Sequence, residues 1–268
     1  MRNTATINGA SLVYDDIGPG DGPALLLVHG YPLNRAMWRA QRDALVGLGW
    51  RGILPDLRGF GDSQATPPPY SMDLFADDLA ALLDHLGLER VALGGLSMGG
   101  YIAFAFWRRH AARVRALVLA DTQAALDTAE ARAGRLKATD EVRGGRFEAV
   151  VDRLLPRVLG YSTQANNPAL AAEVRRMMLA TPTDGVLGSL AALADRPDST
   201  PTLATIDAPT LVIGGAEDVI TPPVAHEAIR DGIVGSRLVV IPGAGHMSPL
   251  EAPDAFNAAL REFLMREG

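Results

Sequence analysis

Cysteine is absent from this sequence. That excludes disulfides, thiolate catalysis and cysteine-based metal centres. No run of about 18 apolar residues occurs, so no membrane-spanning helix is expected. The opening stretch, MRNTATINGASLVYDD, lacks the apolar segment of a signal peptide. There is no Lys/Arg-rich run, and 25 basic side chains face 31 acidic ones, for a net charge of -6. A mildly acidic surface argues against nucleic acid as a partner. The expectation left is a soluble cytoplasmic protein with a small-molecule partner and no membrane contact.

What is present is a large apolar content. Hydrophobic residues make up 48% of the 268 positions, enough for one sizeable core. Residues 24–29 (ALLLVH), 52–56 (GILPD), 91–94 (VALG) and 116–120 (ALVLA) are short, continuous apolar runs. Such runs mark strands covered on both faces. Between them lie amphipathic stretches at 36–48, 72–86 and 97–110. In the second, Phe75, Leu79, Leu82, Leu83 and Leu86 share one helical face, with Ser71 as N-cap and Gly87 as stop. Alternating strands and helices predict a mostly parallel sheet flanked by helices, an α/β fold. Residues 5–8 and 11–16, joined through Asn8-Gly9, predict an antiparallel hairpin at the sheet edge.

From about residue 123 to 207 the strand pattern stops. Helical stretches at 128–142, 147–158, 169–180 and 185–194 replace it, punctuated by Pro156, Pro168, Pro182 and Pro197. Strands return at 210–213 (TLVI) and 238–241 (LVVI). The expected organisation is therefore one core domain, 1–122 plus 208–268, interrupted by a helical insertion at 123–207 that is too long for a simple connection.

The chemistry concentrates at strand ends. Gly95-Leu96-Ser97-Met98-Gly99 stands where a strand gives way to a helix, the context of a nucleophile elbow. The following helix adds positive potential where an oxyanion would form. A glycine-rich turn holding an inert serine would read the same way, so the partners decide. A serine hydroxyl needs a base. His246, in the loop after the last strand, is the choice among five histidines. His29 opens another loop, while His85, His110 and His226 read as solvated imidazoles on helices. The base needs an acid to fix its tautomer. Asp218 follows the 210–213 strand; Glu217, expected to be a solvated neighbour, and Asp121 are its competitors. Oxyanion donors are expected at the backbone N–H of Met98 and, since Pro32 has none, of Tyr31. No metal and no cofactor is implied.

Five motifs in order, HGYP at 29–32, DLRGFGDS at 56–63, GLSMGG at 95–100, GAEDVITP at 215–222 and GAGHMSPLE at 243–251, resemble the α/β-hydrolase superfamily along nearly the whole chain. The resemblance implies that the insertion is a cap roofing the site, and that Arg58 and Asp62 form a structural ion pair. Within the superfamily the chain is similar to 3-oxoadipate enol-lactonases, small carboxylesterases and cofactor-free perhydrolases. Ser97, not an aspartate, stands at the elbow, which separates it from epoxide hydrolases and haloalkane dehalogenases. The expected function is cleavage of small carboxylic esters through an acyl-enzyme. An enol-lactonase would want a cap cation, for which Arg132, Arg135 and Lys137 are candidates. A ligand-binding receptor on the same scaffold is the non-enzymatic alternative.

Overall fold

The computed structural model describes residues 2–267. The chain opens with strands β1 (Arg2–Ile7) and β2 (Ala10–Ile17), paired antiparallel with Ile7 opposite Ala10. Asn8 and Gly9 make the turn at φ 45° and 76°, the left-handed geometry that suits a two-residue hairpin. Then follow β3 (Ala24–Val28), β4 (Arg51–Pro55), β5 (Val91–Leu96), β6 (Val114–Ala120), β7 (Thr210–Gly215) and β8 (Arg237–Ile241). The eight strands form one sheet in the order β1-β2-β4-β3-β5-β6-β7-β8. From β4 to β8 every neighbouring pair is parallel.

Burial on both faces explains the continuous apolar runs. In β3, Leu26 and Val28 enter the core beneath α2 (Met72–His85) and α3 (Met98–His110). Leu25 and Leu27 enter the opposite core, with Trp38 and with Phe256 and Phe263 of the C-terminal helix Pro253–Glu267. Helix α2 begins where Ser71 accepts from the Leu74 amide at 3.0 Å and stops before Gly87 at φ 65°.

The helix expected at 36–48 is broken. A 3-10 turn, Arg35–Trp38, precedes α1 (Arg39–Val46). The cause is polar. Asn34 caps Ala36, and the Arg35 amide donates to Asp56 Oδ1 at 2.8 Å, which fixes the entry before an α-helix can start.

Between β6 and β7 lies a helical insertion without a strand among its residues: α4 (Ala129–Arg143), α5 (Phe147–Val158), α6 (Tyr161–Asn166), α7 (Pro168–Leu179), α8 (Thr183–Ala194) and α9 (Thr200–Leu203). Its own small core joins Ala138, Val142, Val150, Val186 and Leu190, with Tyr31 packed against it. The insertion presses on the loop after β4, where a Cβ at Gly59 would lie 2.6 Å from Gly185 Cα. After β7 come α10 (Pro223–Gly232), then, beyond β8, α11 (Ser248–Glu251) and α12 (Pro253–Glu267). Among the described residues, no single helix is long and apolar enough to cross a membrane.

Candidate active site

The turn from β5 into α3 places Ser97 at φ 53° and ψ -109°. A non-glycine residue in this region stores roughly 1–3 kcal/mol of strain, so its surroundings must over-determine it. They do. A Cβ at Gly95 would lie 2.2 Å from Gly99 O, one at Gly99 2.3 Å from Val28 O, and one at Gly100 2.4 Å from Thr122 Oγ1. The Ser97 amide donates to Ala120 O, and Thr122 Oγ1 donates to Ser97 O, both at 2.9 Å. From Val91 to Trp107, Ser97 alone is not fully buried. The elbow lifts its side chain out of the core.

Asp218 and His246 leave the same edge of the sheet, after β7 and β8. His246 Nδ1 lies 2.8 Å from Asp218 Oδ2, and both groups are buried. Asp218 is held in turn by the amides of Ile220 and Thr221, at 2.8 and 3.0 Å, and by Thr221 Oγ1 at 2.7 Å. Burial alone would favour neutral forms of both. The ion-pair attraction outweighs it, raising His246 above the ordinary imidazole range and lowering Asp218 below the usual carboxylate range. With Nδ1 committed to Asp218, Nε2 is the nitrogen left to take a proton. The structure thus brings Asp218 and His246 into contact. It sets Ser97 on the same edge without a hydrogen bond from its hydroxyl to the imidazole. Such bonds often tighten only with substrate.

The HGYP loop passes directly beside the elbow. A Cβ at Gly30 would lie 3.5 Å from Ser97 Cβ. This brings the Tyr31 amide to the serine's neighbourhood, while the Met98 amide opens α3 with no helical carbonyl to bond. His29 anchors the loop from below. Its Nδ1 bonds Gly30 O at 2.9 Å, and its Nε2 accepts from the Leu57 amide at 3.1 Å.

Several expectations need correction. His226 is not a solvated imidazole: it is fully buried against Gly214, with Nε2 3.9 Å from Asp218 Oδ2 and no hydrogen bond to either ring nitrogen. Helix α10 packs this face onto β7, which short-range sequence does not show. Glu217 stays partly exposed but is engaged: it accepts from the Ser162 amide at 2.9 Å and from Ser162 Oγ at 2.5 Å. Arg58 does not pair with Asp62. It makes a two-pronged bond to buried Asp78 at 2.7 and 2.8 Å, while Asp62 pairs with Arg35 and Arg2. Of the three cap cations, Arg132 bonds Asp195 and Lys137 is exposed. Only Arg135 turns inward, within electrostatic reach of the Tyr101 and Tyr31 phenols.

Asp121 sits at φ 42° just beyond β6, fully buried. It accepts from the Gly215 amide at 2.9 Å and from Ser248 Oγ at 2.5 Å. Burial, reinforced by the Asp218 charge, pushes its carboxyl well above the usual range. Asp121, Asp218 and His226 bring ligand-type atoms within 4.8 Å of one another. The carboxylate oxygens of the two aspartates already accept from amides, hydroxyls and His246, while His226 adds no hydrogen bond to the group. A separate cavity of about 510 Å³ includes Arg35, Arg39, Asp56 and Glu173 and none of the candidate residues.

With this geometry in place, comparison with known proteins is decisive. Residues 23–253 match the family described as alpha/beta hydrolase fold. The chain belongs to that family. It is 33% identical to the AB hydrolase superfamily protein YisY of Bacillus subtilis, over 94% of this chain and 95% of the relative. It is 29% identical to 3-oxoadipate enol-lactonase 2 of Acinetobacter baylyi, over 99% and 97% respectively. Among solved structures, a malate-bound thermophilic esterase from Thermogutta terrifontis superposes with a TM-score of 0.95 at 42% identity, covering 100% of this chain and 99% of that one. This α/β-hydrolase is a hydrolytic enzyme of the esterase and enol-lactonase-like branch.

Proposed function

We propose that the chain is a serine hydrolase of small carboxylic esters, working through an acyl-enzyme. Ser97 attacks the carbonyl carbon and His246 Nε2 takes its proton. Asp218 orients the ring and stabilises the imidazolium, and the amides of Tyr31 and Met98 receive the oxyanion. Collapse expels the alcohol, protonated by His246. Water, activated by the same nitrogen, then releases the acid. The observation that carries this reading is the 2.8 Å contact between His246 Nδ1 and Asp218 Oδ2, on the sheet edge where the strained Ser97 elbow is raised.

The insertion, read as residues 123–207, is the cap in this scheme and selects the acyl group. One observation favours an acid-bearing substrate, whether ester or lactone. Arg135 and Arg196 share the single carboxylate of Asp127, leaving one positive charge in excess. Arg196 also lies 4.2 Å over the Tyr101 ring, four residues after Ser97. The test is turnover of p-nitrophenyl esters of graded acyl length beside a lactone panel, with wild type and Ser97→Ala. The variant is expected to lose at least about three orders of magnitude in kcat. A tenth of wild-type activity in Ser97→Ala would refute the assignment.

A further inference from the structure

The loops bearing the candidate base and acid each carry a carboxylate, and the two carboxylates bond opposite ends of one three-residue segment of the insertion, Gly160 and Ser162. Glu251, in α11, accepts through Oε1 from the amides of Gly245 at 3.0 Å and Met247 at 2.9 Å. These are the amides of the residues immediately before and after His246. Its Oε2 accepts from the Gly160 amide at 2.8 Å. Glu217, adjacent to Asp218, accepts from the amide and hydroxyl of Ser162 at 2.9 and 2.5 Å.

The seam is tight as well as polar. A Cβ at Gly160 would lie 2.6 Å from Glu217 Oε2 and 2.8 Å from the Gly245 nitrogen. A Cβ at Gly245 would lie 2.2 Å from the Gly160 nitrogen. Backbone from the insertion therefore touches backbone of the histidine loop, and glycine at both positions permits it. Charge-assisted bonds of this kind are stronger than neutral ones. Holding the amides of the residues before and after His246 restrains the loop that aims its ring. None of the five bonds lies on the proton route from Ser97 to His246.

We propose that residues 160–162 are a positioning segment for the triad. Seated between Glu217 and Glu251, they hold the acid loop and the base loop in register, so the insertion contributes to turnover as well as to substrate choice. This rests on the triad reading given above. If the segment lifts, three of the five bonds go with it, those of the Gly160 amide, the Ser162 amide and the Ser162 hydroxyl. Both loops then relax, and a displacement of about 1 Å at a catalytic group costs up to about a hundredfold in rate.

The experiment is steady-state hydrolysis of p-nitrophenyl acetate and butyrate by the whole chain carrying Gly160→Ala, Ser162→Ala or Glu251→Gln, with Ser97→Ala as reference. Gly160→Ala and Glu251→Gln are expected to lose about tenfold to a hundredfold in kcat on both esters, with KM within about twofold. Ser162→Ala keeps its backbone donor and loses less.

A pH profile separates positioning from mere support. His246 is faced by Asp218, Asp121, His226 and Glu251. Removing the Glu251 charge moves the acid limb of kcat/KM to lower pH, which a simple loss of folded protein would not do. If Gly160→Ala does not fold, the other two variants decide. Wild-type kcat in both, with Ser97→Ala inactive, overturns the clamp and leaves the triad standing. A higher KM at unchanged kcat also overturns it, because the segment would then be a substrate contact. Activity in Ser97→Ala overturns the triad and the clamp together.

Discussion

Two carboxylates lie buried behind His246, and only Asp218 touches its Nδ1; Asp121 serves the Gly215 amide and Ser248 instead. Asp218→Asn is therefore expected to cost about three to four orders of magnitude in kcat, because an amide holds the wrong tautomer. Asp121→Asn should cost much less, since the remaining oxygen can still accept from the Gly215 amide while the Ser248 hydroxyl, which both donates and accepts, turns to accept from the new NH2. The pH profile gives the sign. His246 must be unprotonated to act as base, and Asp218 raises its pKa. In wild type, kcat/KM falls with acid through a value above the ordinary imidazole range. In Asp218→Asn the residual activity falls at lower pH. An unmoved acid limb, or Asp121→Asn being the more damaging change, would reject the assignment. The placement of Ser97, Asp218 and His246 at one sheet edge was readable because each follows a core strand. Glu217 and His226 were not readable. One is bonded by a short helix of the insertion 55 positions away and the other is buried by α10 packing on β7, and neither contact leaves a periodic trace in the sequence.

Strands were the most legible elements, since β3, β5 and β7 are buried along their whole length and had to be apolar throughout. The short helices α6 and α9 were missed. They have six and four residues, too few to display a helical period. The Arg58 partner was missed for a related reason. Asp78 lies on α2, twenty positions away, and it also receives Asn8 Nδ2 at 3.1 Å, so one aspartate ties the first hairpin, the DLRGFGDS loop and a core helix together. Arg58 and Asp78 are 6% and 1% exposed. Removing one buried partner strands the other charge, so Asp78→Ala is expected to lower unfolding free energy by about 3–5 kcal/mol. Urea unfolding at pH 7.5 measures it. A loss under about 1 kcal/mol would show that water reaches the guanidinium once its partner is gone. The double change Arg58→Met with Asp78→Leu should recover much of the loss, because neither charge is then buried.

Over the whole molecule, two buried histidines make the fold sensitive to acid. His29 has Nε2 committed as an acceptor from the Leu57 amide and Nδ1 bonded to Gly30 O, which leaves no lone pair for a second proton. His226 has no hydrogen-bonding partner to share an added charge, apart from the 3.9 Å approach of Asp218. Burial is the main cause in both cases, and it lowers each pKa to about 4. In the unfolded chain each returns to about 6.5, so the unfolded state takes up the proton first. Their contribution to stability is therefore complete above pH 6.5 and is lost as pH falls toward 4, by roughly 3 kcal/mol per group at pH 4. His246 acts in the opposite sense, since its folded pKa is raised, and offsets part of the loss. His226→Leu isolates one term. Unfolding free energies at pH 7.5 and 4.5 should show wild type losing roughly 2–3 kcal/mol more than the variant over that interval. Equal losses would mean that His226 takes up its proton in the folded state, with the Asp218 carboxylate 3.9 Å away as its counter-charge.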